Sequence, residues 1–143
     1  MRNYFIVGTL ISTDHYAQYN IESFESQQGL QTFNVETGEY HNGYVSSIDY
    51  KKLENLIKIV HEDGSIIVSE RQQFRVGSDW VEAKDLKIGD KLKKMEEDST
   101  IKKVNIVEIE FITELSEAYG FIDVKEHHVF FANRIMVLDS QID

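Results

Sequence analysis

Trp80-Val81-Glu82-Ala83-Lys84-Asp85-Leu86-Lys87-Ile88-Gly89-Asp90-Lys91-Leu92 is the stretch on which the fold class turns. Residues 82–90 form the one segment with the character of a short helical turn. Gly89 ends it, because glycine adopts the left-handed backbone conformation that terminates such turns. Outward from it on both sides the apolar positions are mainly β-branched or aromatic. They fall in short runs separated by Gly, Asn and Asp, the pattern of strands. The runs are 4–11, 19–24, 30–35, 44–49, 53–60, 65–68 and 74–76 on one side, and 102–112, 119–124, 129–132 and 135–138 on the other. An all-β domain is expected.

Turn chemistry punctuates these runs at Glu36-Thr37-Gly38-Glu39, His41-Asn42-Gly43 and Glu62-Asp63-Gly64-Ser65, and the Asp-Gly pair predicts a hairpin over 53–68. In the longest run, Val104, Ile106, Glu108, Glu110 and Ile112 share one parity, and Val107, Ile109 and Phe111 the other. Neither face is cleanly polar, which suits a long, bent strand shared between two sheets. Residues 94–103 are dense in charge and read as a solvated loop, a natural point for insertions. Ile21-Glu22-Ser23-Phe24 leading to Gly29 is echoed by Ala83-Lys84-Asp85-Leu86 leading to Gly89, which suggests a pseudo-twofold duplication.

The chain has 143 residues, enough for a single core. Its net charge of −10 repels phosphate backbones and anionic membrane surfaces, so neither nucleic acid nor membrane is an expected partner. Eight Phe and seven Tyr rule out an acidic disordered chain. With no cysteine there are no disulfides, thiolate nucleophiles or sulfur-based zinc or iron sites. The absence of proline has no functional explanation here. The apolar run Phe5-Ile6-Val7 is too short for a signal-peptide core, and no run approaches a membrane span. A cytoplasmic or virion-associated protein is expected.

Four stretches, in order, resemble the Hint fold shared by inteins and hedgehog-type autoprocessing domains. Phe5-Ile6-Val7-Gly8-Thr9-Leu10-Ile11 is similar to the first intein block, and residues 63–74, from Asp63-Gly64 to Gln73-Phe74, to the second. Residues 80–92 resemble the Trp-x-x-Ala-x-x-Leu-x-x-Gly-Asp signature. Residues 121–137, containing His128-Val129-Phe130-Phe131-Ala132-Asn133, resemble the closing block. The resemblance implies a horseshoe of two pseudo-twofold related β subdomains, one domain over 1–143, with no homing-endonuclease insertion.

The positions at which such a domain breaks peptide bonds carry unexpected side chains. The amino-terminal nucleophile falls at Tyr4, or at Phe5 if the turn is one residue shorter. A phenol at the end of a rigid ring cannot reach its own preceding carbonyl, and with a pKa near 10 it is about 0.1% ionised at neutral pH. The threonine and histidine of the second block correspond to Ser69 and Gln72, and glutamine carries no proton. The closing His-Asn pair before a Cys, Ser or Thr corresponds to Leu138-Asp139-Ser140. Leu138 supplies no acid or base, and an aspartate would have to cyclise as an anhydride. Only His128 and Ser140 suit the chemistry.

The chain from Met1 to Asp143 is expected to leave no substantial flanking protein to join. The expectation is therefore not an enzyme but a splicing-inactive Hint module in a structural or protein-binding role, in a phage or mobile-element setting, with no cofactor. Two alternatives remain: cleavage at Asp139–Ser140 only, or an unrelated small β-barrel. No metal site is expected, since His127 and His128, read as adjacent strand residues, point to opposite faces, and His15, His41 and His61 carry no ligand spacing. Tyr40 and Tyr44, in a Tyr-rich amino-terminal third, are candidates for a partly exposed contact surface toward a protein partner, a basic one given the net charge.

Overall fold

The computed structural model describes residues 3–141. The chain opens with β1 (Phe5–Ile6), β2 (Leu10–Ser12) and β3 (Gln18–Asn20), passes a 3-10 turn at Ile21–Ser23, and continues as β4 (Gly29–Asn34) and the long β5 (Glu39–Leu53). A hairpin of β6 (Leu56–His61) and β7 (Gly64–Ser69) leads to β8 (Gln73–Val76), β9 (Asp79–Glu82) and a second 3-10 turn at Ala83–Asp85. The last third is β10 (Lys91–Met95), β11 (Ile101–Ile112), β12 (Ser116–Lys125), β13 (Val129–Ala132) and β14 (Ile135–Leu138). The described residues contain no α-helix, and the all-β expectation holds. Hydrogen bonds order the strands β3-β2-β13-β14-β10-β11-β6-β7-β1-β12-β5-β4, with β8 joining β14 and β9.

The bent strand is β11. Lys91 to Met95 of β10 pair with it over 101–105, β6 pairs with it from Ile106 to Ile112, and a register shift between Ile106 and Glu108 marks the bend. The duplication is visible atom by atom. Phe24 N–H donates to Ile21 O, as Leu86 N–H does to Ala83 O. Gln27 N–H reaches Val45 O at 2.7 Å, as Gly89 N–H reaches Ile106 O at 2.8 Å. The register of the echo differs from expectation. The counterpart of Gly89 (φ +96°) is Gln27 (φ +72°), and Gly29 lies two residues beyond it at the start of a strand.

Other departures have local causes. Gly8 (φ +89°) breaks the 4–11 run into two strands. Half of the charged 94–103 segment is paired strand, because buried Met95 sits opposite Ile101, and residues 96–100 form the loop. Lys94 and Lys102 both close on Asp63. The expected turn at His41-Asn42-Gly43 is instead continuous β5, paired with β4 from Glu39↔Asn34 to Tyr44↔Gly29. A Cβ at Gly43 would lie 2.1 Å from Lys125 O, so glycine is required for backbone approach and not for a turn.

Strand β13 is buried on both faces and joins two cores. Phe130 packs with Phe5 and Phe121 in the larger one, and Phe131 packs with Phe33 and Met136 in the smaller. Trp80 lies against the smaller core with the Arg75 guanidinium 5.2 Å from its ring. The strand that builds the site is β12, where a Cβ at Gly120 would lie 2.4 Å from Asn3 O. Gly120→Ala should lower stability by about 1–3 kcal/mol, read as a fall in denaturant midpoint at unchanged m value. Gly29→Ala, whose Cβ would find nothing nearer than 3.6 Å, should change it little.

Candidate functional site

The fold draws the two ends of the described chain into one buried junction. Ser69 Oγ accepts from Tyr4 N–H at 3.0 Å, and Ser69 N–H donates to Tyr4 O at 2.9 Å. Beyond β14 the chain runs parallel to β12 at Ile122↔Ser140, with Ser140 N–H on Phe121 O and Asp123 N–H on Ser140 O, both at 2.9 Å. Asn3 closes the junction. Its N–H donates to Ser140 Oγ, its carbonyl lies 3.4 Å from the same hydroxyl, and its Nδ2 donates to Asp139 O at 3.1 Å. Asn3, Tyr4, Ser69, Gln72, Asp139 and Ser140 are all buried.

His128 departs from expectation: it lies in a turn between β12 and β13, not in a strand. Glu126, His127 and His128 are all left-handed, with φ of 66°, 74° and 61°. The two histidines diverge as expected, but through turn geometry. His127 faces His41, and His128 faces Asp139. Asp139 N–H donates to His128 O at 3.0 Å, and Asp139 Oδ2 accepts from Val124 N–H and lies 2.9 Å from His128 Nδ1. Burial pushes the Asp139 carboxyl up to about 6, against the opposing pull of His128 and the Val124 amide.

Asp123 is a member of this group that the sequence reading passed over, although a carboxylate inside the apolar run 121–124 was the available signal. Its Oδ1 is 3.7 Å from His128 Nδ1, and the Lys125 ammonium bound to it holds its carboxyl below the usual range. Asp123, His128 and Asp139 together present three ligand atoms within 4.8 Å, a set of the right chemistry for a divalent cation. The Lys125 ammonium already occupies Asp123, and an amide and an imidazole already contact Asp139 Oδ2.

At the amino-terminal junction, the Tyr4 hydroxyl donates to Asp49 on β5, with the Lys51 ammonium 5.8 Å from its ring centre. The phenol is therefore engaged with β5. Gln72, fully buried, donates through Nε2 to Leu138 O at 2.8 Å and to Gln73 O at 3.1 Å, tying the end of β14 to β8. Ser140 Oγ contacts only Asn3 among the described residues. Of the two tyrosines expected on a partly exposed contact surface, Tyr40 is half-buried and Tyr44 is exposed. Tyr40 packs on Phe33, Phe131 and His15 and donates to Ser99 O at 2.6 Å, because the smaller core needs an edge there. Only Tyr44 is exposed, at 38%.

The Asp139 carboxyl titrates near 3.8 when unfolded and near 6 in the fold, so the folded state holds the extra proton between those values. The resulting stabilisation is full below about pH 4 and is lost as pH rises through 6. Asp139→Asn removes this dependence. Relative to that variant, the wild type should lose on the order of 2–3 kcal/mol of stability between pH 4 and pH 7 in urea titrations.

The sequence matches no family profile and no curated protein. Solved structures do match over nearly the whole chain. A bacterial intein-like domain from Clostridium thermocellum is 23% identical, covers 97% of this chain and 99% of its own, and superposes with a TM-score of 0.81. A DnaB intein from Synechocystis sp. PCC 6803 is 20% identical, with 96% and 99% covered and a TM-score of 0.85. The gp41-1 intein is 22% identical, with 97% and 100% covered and a TM-score of 0.79. With the paired 3-10 turns, the bent β11 and the buried meeting of residues 3 and 140, this likeness establishes that the chain has the Hint fold of the inteins.

Proposed function

We propose that the protein is a Hint domain that does not splice and serves as a structural, protein-binding module. The observation that carries this reading is the Tyr4 side chain, whose phenol is committed to Asp49. A β-carbon thiol or hydroxyl at residue 4 would reach the Asn3 carbonyl through a five-membered ring, and a phenol cannot. The remaining groups support the same reading. Gln72 cannot carry a proton, Ser140 Oγ has no base in contact among the described residues, and Asp139 Oδ2 is pinned by the Val124 amide and His128. For binding, the fold offers edge strands β3 and β4, and the net charge favours a basic partner.

A second reading, cleavage at Asp139–Ser140 alone, is favoured by one observation: Asn3 Nδ2 donates to the Asp139 carbonyl, the bond that would break. A chain extended by soluble tags at both ends should keep its full mass over days at neutral pH. A fragment ending at Asp139 would establish the second reading instead, and joined tags would overturn both. The Tyr4→Cys, Gln72→His double variant should gain cleavage after Asn3 in the presence of added thiol, seen by mass spectrometry, because it restores a reachable nucleophile and a proton carrier.

A further inference from the structure

We propose that His41 and His127 form a binding site for a divalent transition-metal ion of the zinc or copper(II) class, and that its occupancy stiffens the turn carrying His128. This goes beyond the reading above and does not depend on it. The two residues are far apart in sequence, yet their ring centres lie 4.8 Å apart with the planes tilted by 56°. An ion about 2.0–2.1 Å from a ring nitrogen lies about 3.2 Å from that ring's centre, so two imidazoles at a tetrahedral angle have centres about 5 Å apart. The observed spacing, also that of an ordinary ring contact, is close enough for both rings to ligate one ion. Both side chains are exposed, and among the described residues neither imidazole makes a hydrogen bond or an ion pair. Their nitrogens are available.

The backbone on both sides is built to bring these rings together. Gly43, two residues beyond His41 on the same face of β5, lets the Lys125 carbonyl occupy the space a side chain would fill. The chain then leaves β12 directly into the turn that holds His127 at its centre. Three consecutive non-glycine residues in left-handed geometry cost about 1 kcal/mol or more each, and such strain persists only where surrounding contacts over-determine it. On one flank the turn is held by His128 through Asp139. On the other, the contact with His41 is the one interaction of the His127 ring among the described residues, and an ion would convert it into a covalent-strength link. A cavity of about 220 Å³, lined by Phe33, Asn34, Glu36, His127 and Val129, adjoins the site and leaves room for water or the Glu36 carboxylate to complete the coordination. The net charge of −10 raises the local concentration of cations.

Calorimetric titration of the full chain with Zn²⁺ should show one site per chain. His41→Ala and His127→Ala should each weaken binding by about tenfold or more, while Asp123→Asn leaves it unchanged. Copper(II) bound to the wild type should show nitrogen hyperfine coupling from two imidazoles, falling to one in His41→Ala. Zn²⁺ should also slow amide exchange at residues 126–129 in the wild type and not in His41→Ala. Both histidines are exposed, so the metal-free variants should remain folded, as circular dichroism would show. Failure to bind, or binding lost in Asp123→Asn but kept in His41→Ala, overturns the proposal. Binding without slowed exchange overturns its second half.

Discussion

The meeting of Asn3 with β12 is the contact on which the site depends. At that point two backbones lie closer than any side chain allows, since a Cβ on residue 120 would sit 2.4 Å from the Asn3 carbonyl oxygen. Because the strand is bare there, Asn3 can reach across to Ser140 and Asp139, and the chain re-enters the fold beside the place where it began. The parallel bridge at Ile122↔Ser140 fixes the other side of the junction. Asn3, Asp139 and Ser140 take their positions from this arrangement of main chain.

Those backbone bonds and the side chains they position follow different physics. Ser69, Ser140 and Asn3 satisfy main-chain donors and acceptors in a buried region, where an unmatched polar group would cost about 1–3 kcal/mol. Asp139 is a buried carboxyl held by an amide and an imidazole, and burial raises its pKa to about 6. Asp123, next to the bridged Ile122, keeps its charge because Lys125 neutralises it. Two neighbouring carboxyls are thus pushed apart in acidity by their surroundings alone.

Much of the architecture was legible in the sequence because it is written in local chemistry. Runs of β-branched residues predict strands, and Asp63-Gly64 predicts the turn between β6 and β7. The alternation of Val104 to Ile112, polar and apolar on both faces, predicts a strand shared by two sheets, which the register shift after Ile106 bears out. The echo around Ile21 and Ala83 was visible, but its register was not. Gln27 takes the conformation of Gly89 without being glycine, and only the hydrogen bonds to Val45 and Ile106 align them. His41-Asn42-Gly43 has the composition of a turn, and pairing with β4 and contact with Lys125 override that preference. Tyr40 read as partly exposed, and only the structure shows that its covered side meets Phe33 and Phe131.

The sequence by itself determined the strand content, the absence of a sulfur nucleophile, and the side chains at Tyr4, Gln72 and Asp139, because composition, periodicity and chemical reach are properties of residues and their near neighbours. The tertiary structure decided which of those residues meet. It turned His127 away from His128 and toward His41, brought Asp123 beside Asp139, and set Asn3 against Ser140 across 137 positions. Contacts of that kind depend on how two pseudo-symmetric halves fold back on one another, and no local pattern records the distance between residues so far apart along the chain.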